Sequence, residues 1–193
     1  MLHPRIVATA ALLPLLAALS GCAPAPILPD PNASHPLRAS PEVYTLVNLH
    51  PDDDLELSSV NYQEGSLLPL CTPIRVTFLS TDYLQFTALT TGRSYKYEFY
   101  DDMKASPGDH VTRYFGTSCD PSVVGALDSI DQKGVREGKV YPGMSKDGVV
   151  LAIGYPPDHA TKSLDDDSWR YWESRFDIFD VKFKDGRVVA IKD

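Results

Sequence analysis

The sequence predicts an α+β protein in two folded units: a small antiparallel β domain, then two helices on a three-stranded antiparallel sheet. Three observations predict it. Residues 42–119 hold five short runs rich in β-branched and aromatic side chains, separated by turn signals. Residues 143–156 read as one short helix with both ends marked. Residues 169–192 read as strands, the last two joined by an Asp185-Gly186 turn.

Residues 1–21 read as a targeting segment. Arg5 gives a positive start, and residues 6–19 form an apolar run too short to span a bilayer comfortably. The run ends in Leu19-Ser20-Gly21-Cys22, small residues before a cysteine, which looks like a bacterial lipobox. In proteins with that pattern the cysteine becomes the mature N-terminus and carries acyl chains such as palmitate. Cys22 is therefore the expected lipidation site. A plain secretory signal with an incidental cysteine is the blander reading. Ala23 follows Cys22, where some lipoproteins carry an inner-membrane retention Asp. That points to the outer membrane, on its periplasmic side. Several acyl chains would hold the protein firmly.

Residues 22–41 read as a tether. Six prolines, at 24, 26, 29, 31, 36 and 41, favour extended polyproline II. At about 3.1 Å per residue such a tether reaches on the order of 60 Å.

The β domain, residues 42–119, begins with a run at 43–49, broken by the turn signal at 50–54. Further strands are predicted at 57–62, 74–79, 83–89 and 94–99, with a Thr91-Gly92 turn between the last two. Tyr95, Tyr97 and Phe99 share one face. That face reads as core, with a binding surface as the other reading. Five short strands suggest a small antiparallel sheet or a partly open barrel. Residues 101–110, with Pro107-Gly108, read as a loop.

Setting Cys22 aside leaves Cys71 and Cys119, an even number in an oxidising compartment, and they are expected to pair. The bond would close roughly 48 residues and contribute up to about 4 kcal/mol in the chain-entropy model. Residues 120–193 make the second unit. A first helix is expected after Ser118 or Asp120, with Pro121 in its first turn and Val123, Leu127 and Ile130 on one stripe. Gly134 and Gly138 loosen or end it. In the second helix Ser145 caps the start, Asp147 favours the positive end of the dipole, and Gly154 with Pro156-Pro157 ends it. Gly148 inside it costs about 1 kcal/mol against Ala. Trp169 to Trp172 start a strand. Phe179, Val181 and Phe183 are expected to face the helices, paired with Val189 and Ile191.

Gly143-Met144, Val149, Ala152-Ile153-Gly154-x-Pro156 and Trp169-x-Tyr171 together resemble the SmpA/OmlA (BamE-like) outer-membrane lipoprotein family, over roughly residues 120–193. The resemblance implies a non-enzymatic partner of the β-barrel assembly machinery. It implies the same helices-on-sheet arrangement, with partner contacts on the sheet, on the loop before the Trp strand and at the helix ends. Trp169 and Tyr171 are carried over as partner-binding candidates. Arg170 and Trp172 point the other way on that strand and join them, since Arg and Trp are frequent interface hot spots. The added β domain and the Cys71–Cys119 pair depart from minimal members, and fit a paralogue with another envelope partner equally well.

No catalytic pattern emerges. His3, His35, His50, His110 and His159 sit in the signal, the tether or apparent turns. The Asp52–Asp54 and Asp165–Asp167 runs lack an EF-hand pattern and read as solvated turns. No nucleophile elbow, zinc helix or phosphate loop is present. No cofactor and no metal are expected, and the net charge of −8 argues against nucleic acid. The expected function is support of envelope or outer-membrane protein assembly and integrity through protein–protein contacts. Binding of a small molecule or glycan by the aromatic β domain is the alternative. A further one is an inhibitor-like binding module. An aromatic groove between strands 74–79 and 94–100 would favour the small-molecule reading.

Overall fold

The structure, a computed structural model, describes residues 35–193; the signal segment, Cys22 and the tether as far as residue 34 lie outside the described residues. In chain order the elements are α1 (Pro36–Ala39), β1 (Val43–Thr45), β2 (Glu56–Ser58), β3 (Pro73–Leu79), β4 (Tyr83–Ala88) and β5 (Ser94–Glu98). Then come α2 (Pro107–Tyr114), β6 (Phe115–Gly116), α3 (Ser122–Gly125), α4 (Ser129–Glu137) and α5 (Lys146–Ile153). The chain closes with β7 (Ser168–Trp172), β8 (Ile178–Lys184) and β9 (Arg187–Lys192). The fold is mixed α+β. A six-stranded sheet runs β2-β5-β4-β3-β1-β6, and a separate antiparallel sheet runs β7-β8-β9.

The first sheet departs from expectation in several places. β2 lies parallel to β5, pairing Leu57 with Tyr97, so the sheet is mixed. β3, β4 and β5 form an antiparallel meander, and β2 joins its free edge in the direction of β5. A sixth strand, β6, covers β1 because α2 returns the chain there. Residues 46–49 leave the ladder. Leu46 N donates to Tyr114 O, Asn48 N to Leu151 O and Leu49 N to Leu68 O, three partners in three places.

Residues 101–110 are not all loop, since α2 starts at Pro107. Ser106 Oγ accepts from Asp109 N at 3.1 Å, and Pro107 occupies the first turn, where a missing N–H costs nothing. Val111 and Tyr114 are then buried. The end of the expected tether is also folded. Leu37 of α1 is buried, and Arg38 donates to Val76 O at 3.0 Å. Tyr95, Tyr97 and Phe99 pack inside with Phe86, Tyr114 and Phe115, so the aromatic face is core. β4 lies between β3 and β5, and the cavity of about 240 Å³ over these strands is lined mostly by polar side chains such as Thr77, Gln85, Thr87 and Ser94. Cys71 and Cys119 form the expected disulfide.

In the second unit the first helix is broken. α3 is a single turn and α4 starts afresh, because Asp128 adopts an extended conformation between them. Ser145 Oγ accepts from Gly148 N at 3.0 Å, as its capping role requires. The glycine inside α5 has a packing reason. A Cβ on Gly148 would lie 2.2 Å from Asp131 Oδ1, and the buried Asp131 carboxylate accepts from Ser145 N at 2.7 Å and Ser145 Oγ at 2.8 Å. The close approach of α4 to α5 therefore demands glycine.

Asp185 (φ 52°) and Gly186 (φ 74°) turn β8 into β9 with both residues in the left-handed region, as a type I′ hairpin requires. The pairing shifts between Lys182 and Phe183, so Val188 faces Phe183 and is buried, while Val189 is 55% exposed. The expected inward Val189 is corrected by this one-residue bulge, which flips its side chain outward. Met144, Val149, Ala152 and Ile153 pack on Trp169, Tyr171, Val181, Phe183 and Val188.

Two buried asparagines stitch the halves together. Asn48 Nδ2 donates to Val135 O at 2.7 Å and Ala152 O at 3.1 Å. Asn61 Nδ2 donates to Ile153 O and Tyr155 O, both at 2.8 Å. Gly154 takes φ 79°, and a Cβ there would lie 2.9 Å from Asn61 Nδ2.

Candidate functional site

Alternation along β7 splits its side chains between two faces. Trp169 and Tyr171, expected as partner contacts, point inward at 1% and 0% exposure. Trp169 packs on Phe183 with ring centroids 4.6 Å apart, and Tyr171 Oη donates to Gly154 O at 3.1 Å. Their side chains pack in the core of the second unit. The motif residues Met144, Val149, Gly154 and Pro156 are buried too, and Gly143 supplies a backbone turn at φ 92°.

Arg170 and Trp172 occupy the outer face. Arg170 Nε donates to Asp180 Oδ1 at 2.9 Å across to β8, and Lys182 Nζ reaches Asp180 Oδ2 at 3.0 Å. The Arg170 guanidinium bonded to it holds the Asp180 carboxyl below its usual range, against a smaller opposing effect of burial. This exposed ladder contributes little stability but fixes the register of charge on the face.

Trp172 continues the face into an aromatic strip. Its partner across the ladder is Ile178, which is 43% exposed. The His159 ring lies between Trp172 and Tyr100, 5.2 Å from each. Beyond Ile178, the turn at 173–177 holds Phe176 at 93% exposure.

That turn is tightly tied. Glu173 N donates to Asp177 O at 2.9 Å, and Ser174 Oγ donates to Asp177 Oδ2 at 2.8 Å. Ser174 Oγ also accepts from Phe176 N at 3.2 Å and Asp177 N at 3.3 Å. Ser174 and Asp177 thus fix the backbone around a ring that touches almost nothing.

A cavity of about 510 Å³ adjoins the strip, lined by Tyr62, Tyr100, Arg175 and the carboxylates of Glu64, Glu98 and Asp101. Among the described residues, no group of three or more His, Cys, Asp or Glu side chains is placed to hold a metal ion.

Sequence reasoning placed Arg170 and Trp172 on this face but did not single out Phe176, Tyr100 or His159 as part of it. Phe176 had a readable signal: an aromatic residue inside an Arg/Ser/Asp turn has no alternation to carry it into a core. Tyr100 and His159 had none, since they meet only through tertiary folding.

No protein-family model, curated protein or solved structure matches the chain.

Proposed function

We propose that this is a non-enzymatic outer-membrane lipoprotein, anchored by acyl chains on Cys22 and facing the periplasm, that supports envelope assembly by gripping another protein. The grip is the outer-face strip from Tyr100 through His159, Trp172 and Ile178 to Phe176. One observation carries the reading: a phenylalanine 93% exposed on a turn tied by its own hydrogen bonds. An isolated exposed ring costs solubility, whereas a preorganised one loses little entropy when a partner pocket covers it. The neighbouring Trp172 and Arg170 are residue types that dominate interface energetics. The lipobox supports the compartment, and the SmpA/OmlA resemblance makes the barrel-assembly machinery the first partner to test.

The test is site-specific photo-cross-linking in intact envelopes. A benzophenone side chain at position 176 is expected to trap a discrete protein adduct. The same group at the exposed Gln85 of β4 is the control. No adduct at 176, or an identical pattern from 85, refutes the proposed grip. Separately, Cys22→Ala is expected to release the protein from membranes, and a variant that still sediments with them contradicts the anchor.

A further inference from the structure

A second surface lies on the opposite side of β7, where the halves of the molecule meet. Leu46, Leu70, Leu127, Val150 and Leu151 of α5, and Leu164 line a groove of about 670 Å³. Val123 and Leu164 remain 43% and 42% exposed at its mouth. Water-facing aliphatic side chains from four separate segments converge on one concavity, and that volume accommodates several apolar side chains.

The charge around the mouth is one-sided. Asp120, Asp147 and Asp165 line the rim. Among the described residues none of the three carboxylates has an ion-pair partner. Lys146 also lines the groove, but its ammonium is turned to backbone. It donates to Leu164 O at 2.8 Å and Asp166 O at 2.9 Å, and lies over the Trp169 ring. These two carbonyls and the ring engage its charge, and among the described residues it forms no ion pair with the rim.

An aliphatic lining and a rim of unpaired carboxylates define their complement. We infer that the groove docks a segment of a partner protein with an aliphatic centre flanked by lysine or arginine. A fatty-acid carboxylate or an anionic lipid headgroup meets like charge at the rim and is disfavoured. Flanking cations gain attraction there and are steered into register. The inference stands apart from the outer-face strip, because Trp169 and Trp172 belong to opposite faces of β7.

The test uses the full-length protein in phosphatidylcholine nanodiscs with Trp172→Phe, which leaves Trp169, beside the groove, as the single tryptophan. The probe is the acetylated peptide KKLLALLKK, with KKSSASSKK, EELLALLEE and dodecanoate as comparisons. The leucine–lysine probe is expected to change Trp169 emission saturably. The serine and glutamate peptides are expected to bind at least about tenfold more weakly, and Asp120→Lys/Asp147→Lys/Asp165→Lys to weaken the probe by a similar factor. All three aspartates are exposed, so the reversal should keep the fold, checked by thermal melt. If it does not, Val123→Lys at the mouth replaces it, with the same loss expected. Equal affinity for the reversed protein, equal binding of the serine peptide, or displacement of the probe by dodecanoate at matched concentration overturns the inference.

Discussion

Replacing Asn61 tests the seam between the two halves. Its amide donates to Ile153 O and Tyr155 O, both at 2.8 Å, from a site 6% exposed. Neither carbonyl is orphaned by its loss. Gln63 Nε2 also reaches Ile153 O at 3.1 Å, and Tyr114 Oη reaches Tyr155 O at 3.3 Å. The cost is therefore two net hydrogen bonds, about 2 kcal/mol, without the larger penalty for buried unpaired groups. Asn61 also sits at φ 58°, where alanine loses roughly 1 kcal/mol more and glycine does not. Asn61→Ala should lose about 3 kcal/mol and Asn61→Gly about 2 kcal/mol. Urea unfolding followed by far-ultraviolet dichroism and tryptophan fluorescence measures both. The midpoint should fall at an unchanged slope, with the two probes coinciding. If Asn61→Gly matches the parent protein, the amide bonds contribute nothing across the seam and the reasoning fails.

Three other outcomes follow from the same structure. Gly148→Ala gains about 1 kcal/mol of helix propensity but drives its methyl into the Asp131 carboxylate, so a net loss of about 2 kcal/mol is expected by thermal melting. Reduction of Cys71–Cys119 should lower stability by up to about 4 kcal/mol, read as a lower urea midpoint with dithiothreitol. Burial, helped by the nearby Arg113 charge, pushes His110 down to about 4 from 6.5. The unfolded chain therefore takes up a proton that the folded one refuses. Stability is complete above about pH 6.5 and falls as pH drops toward about 4, by up to about 3 kcal/mol, with buried His50 shifted in the same direction. His110→Asn should flatten that slope, and an unchanged slope would exclude His110 as its source.

Of the outer face, only Arg170 and Trp172 were legible in the sequence. Period-two alternation along residues 169–172 was enough to send Arg170 and Trp172 to the face opposite Trp169 and Tyr171. Alternation does not say which face becomes core, and here the motif residues Trp169 and Tyr171 took it. The bulge at Val189 shows the other limit. A single inserted residue, Val189 itself, inverts the side-chain pattern, and only the pairing register shows it.

What the residues alone determined is local: the Ser145 cap, the Asp185-Gly186 hairpin, the disulfide pairing and the alternation along β7. Each depends on backbone preferences within a few residues, or on cysteine count. The tertiary structure alone decided the rest. Asn48 and Asn61 find their acceptors 87 to 104 residues away, β2 joins β5 in parallel, and Gly148 exists because Asp131 needs its space. Hydrogen bonding and close packing act over a few ångströms in space, and the chain sets those distances only after it has folded.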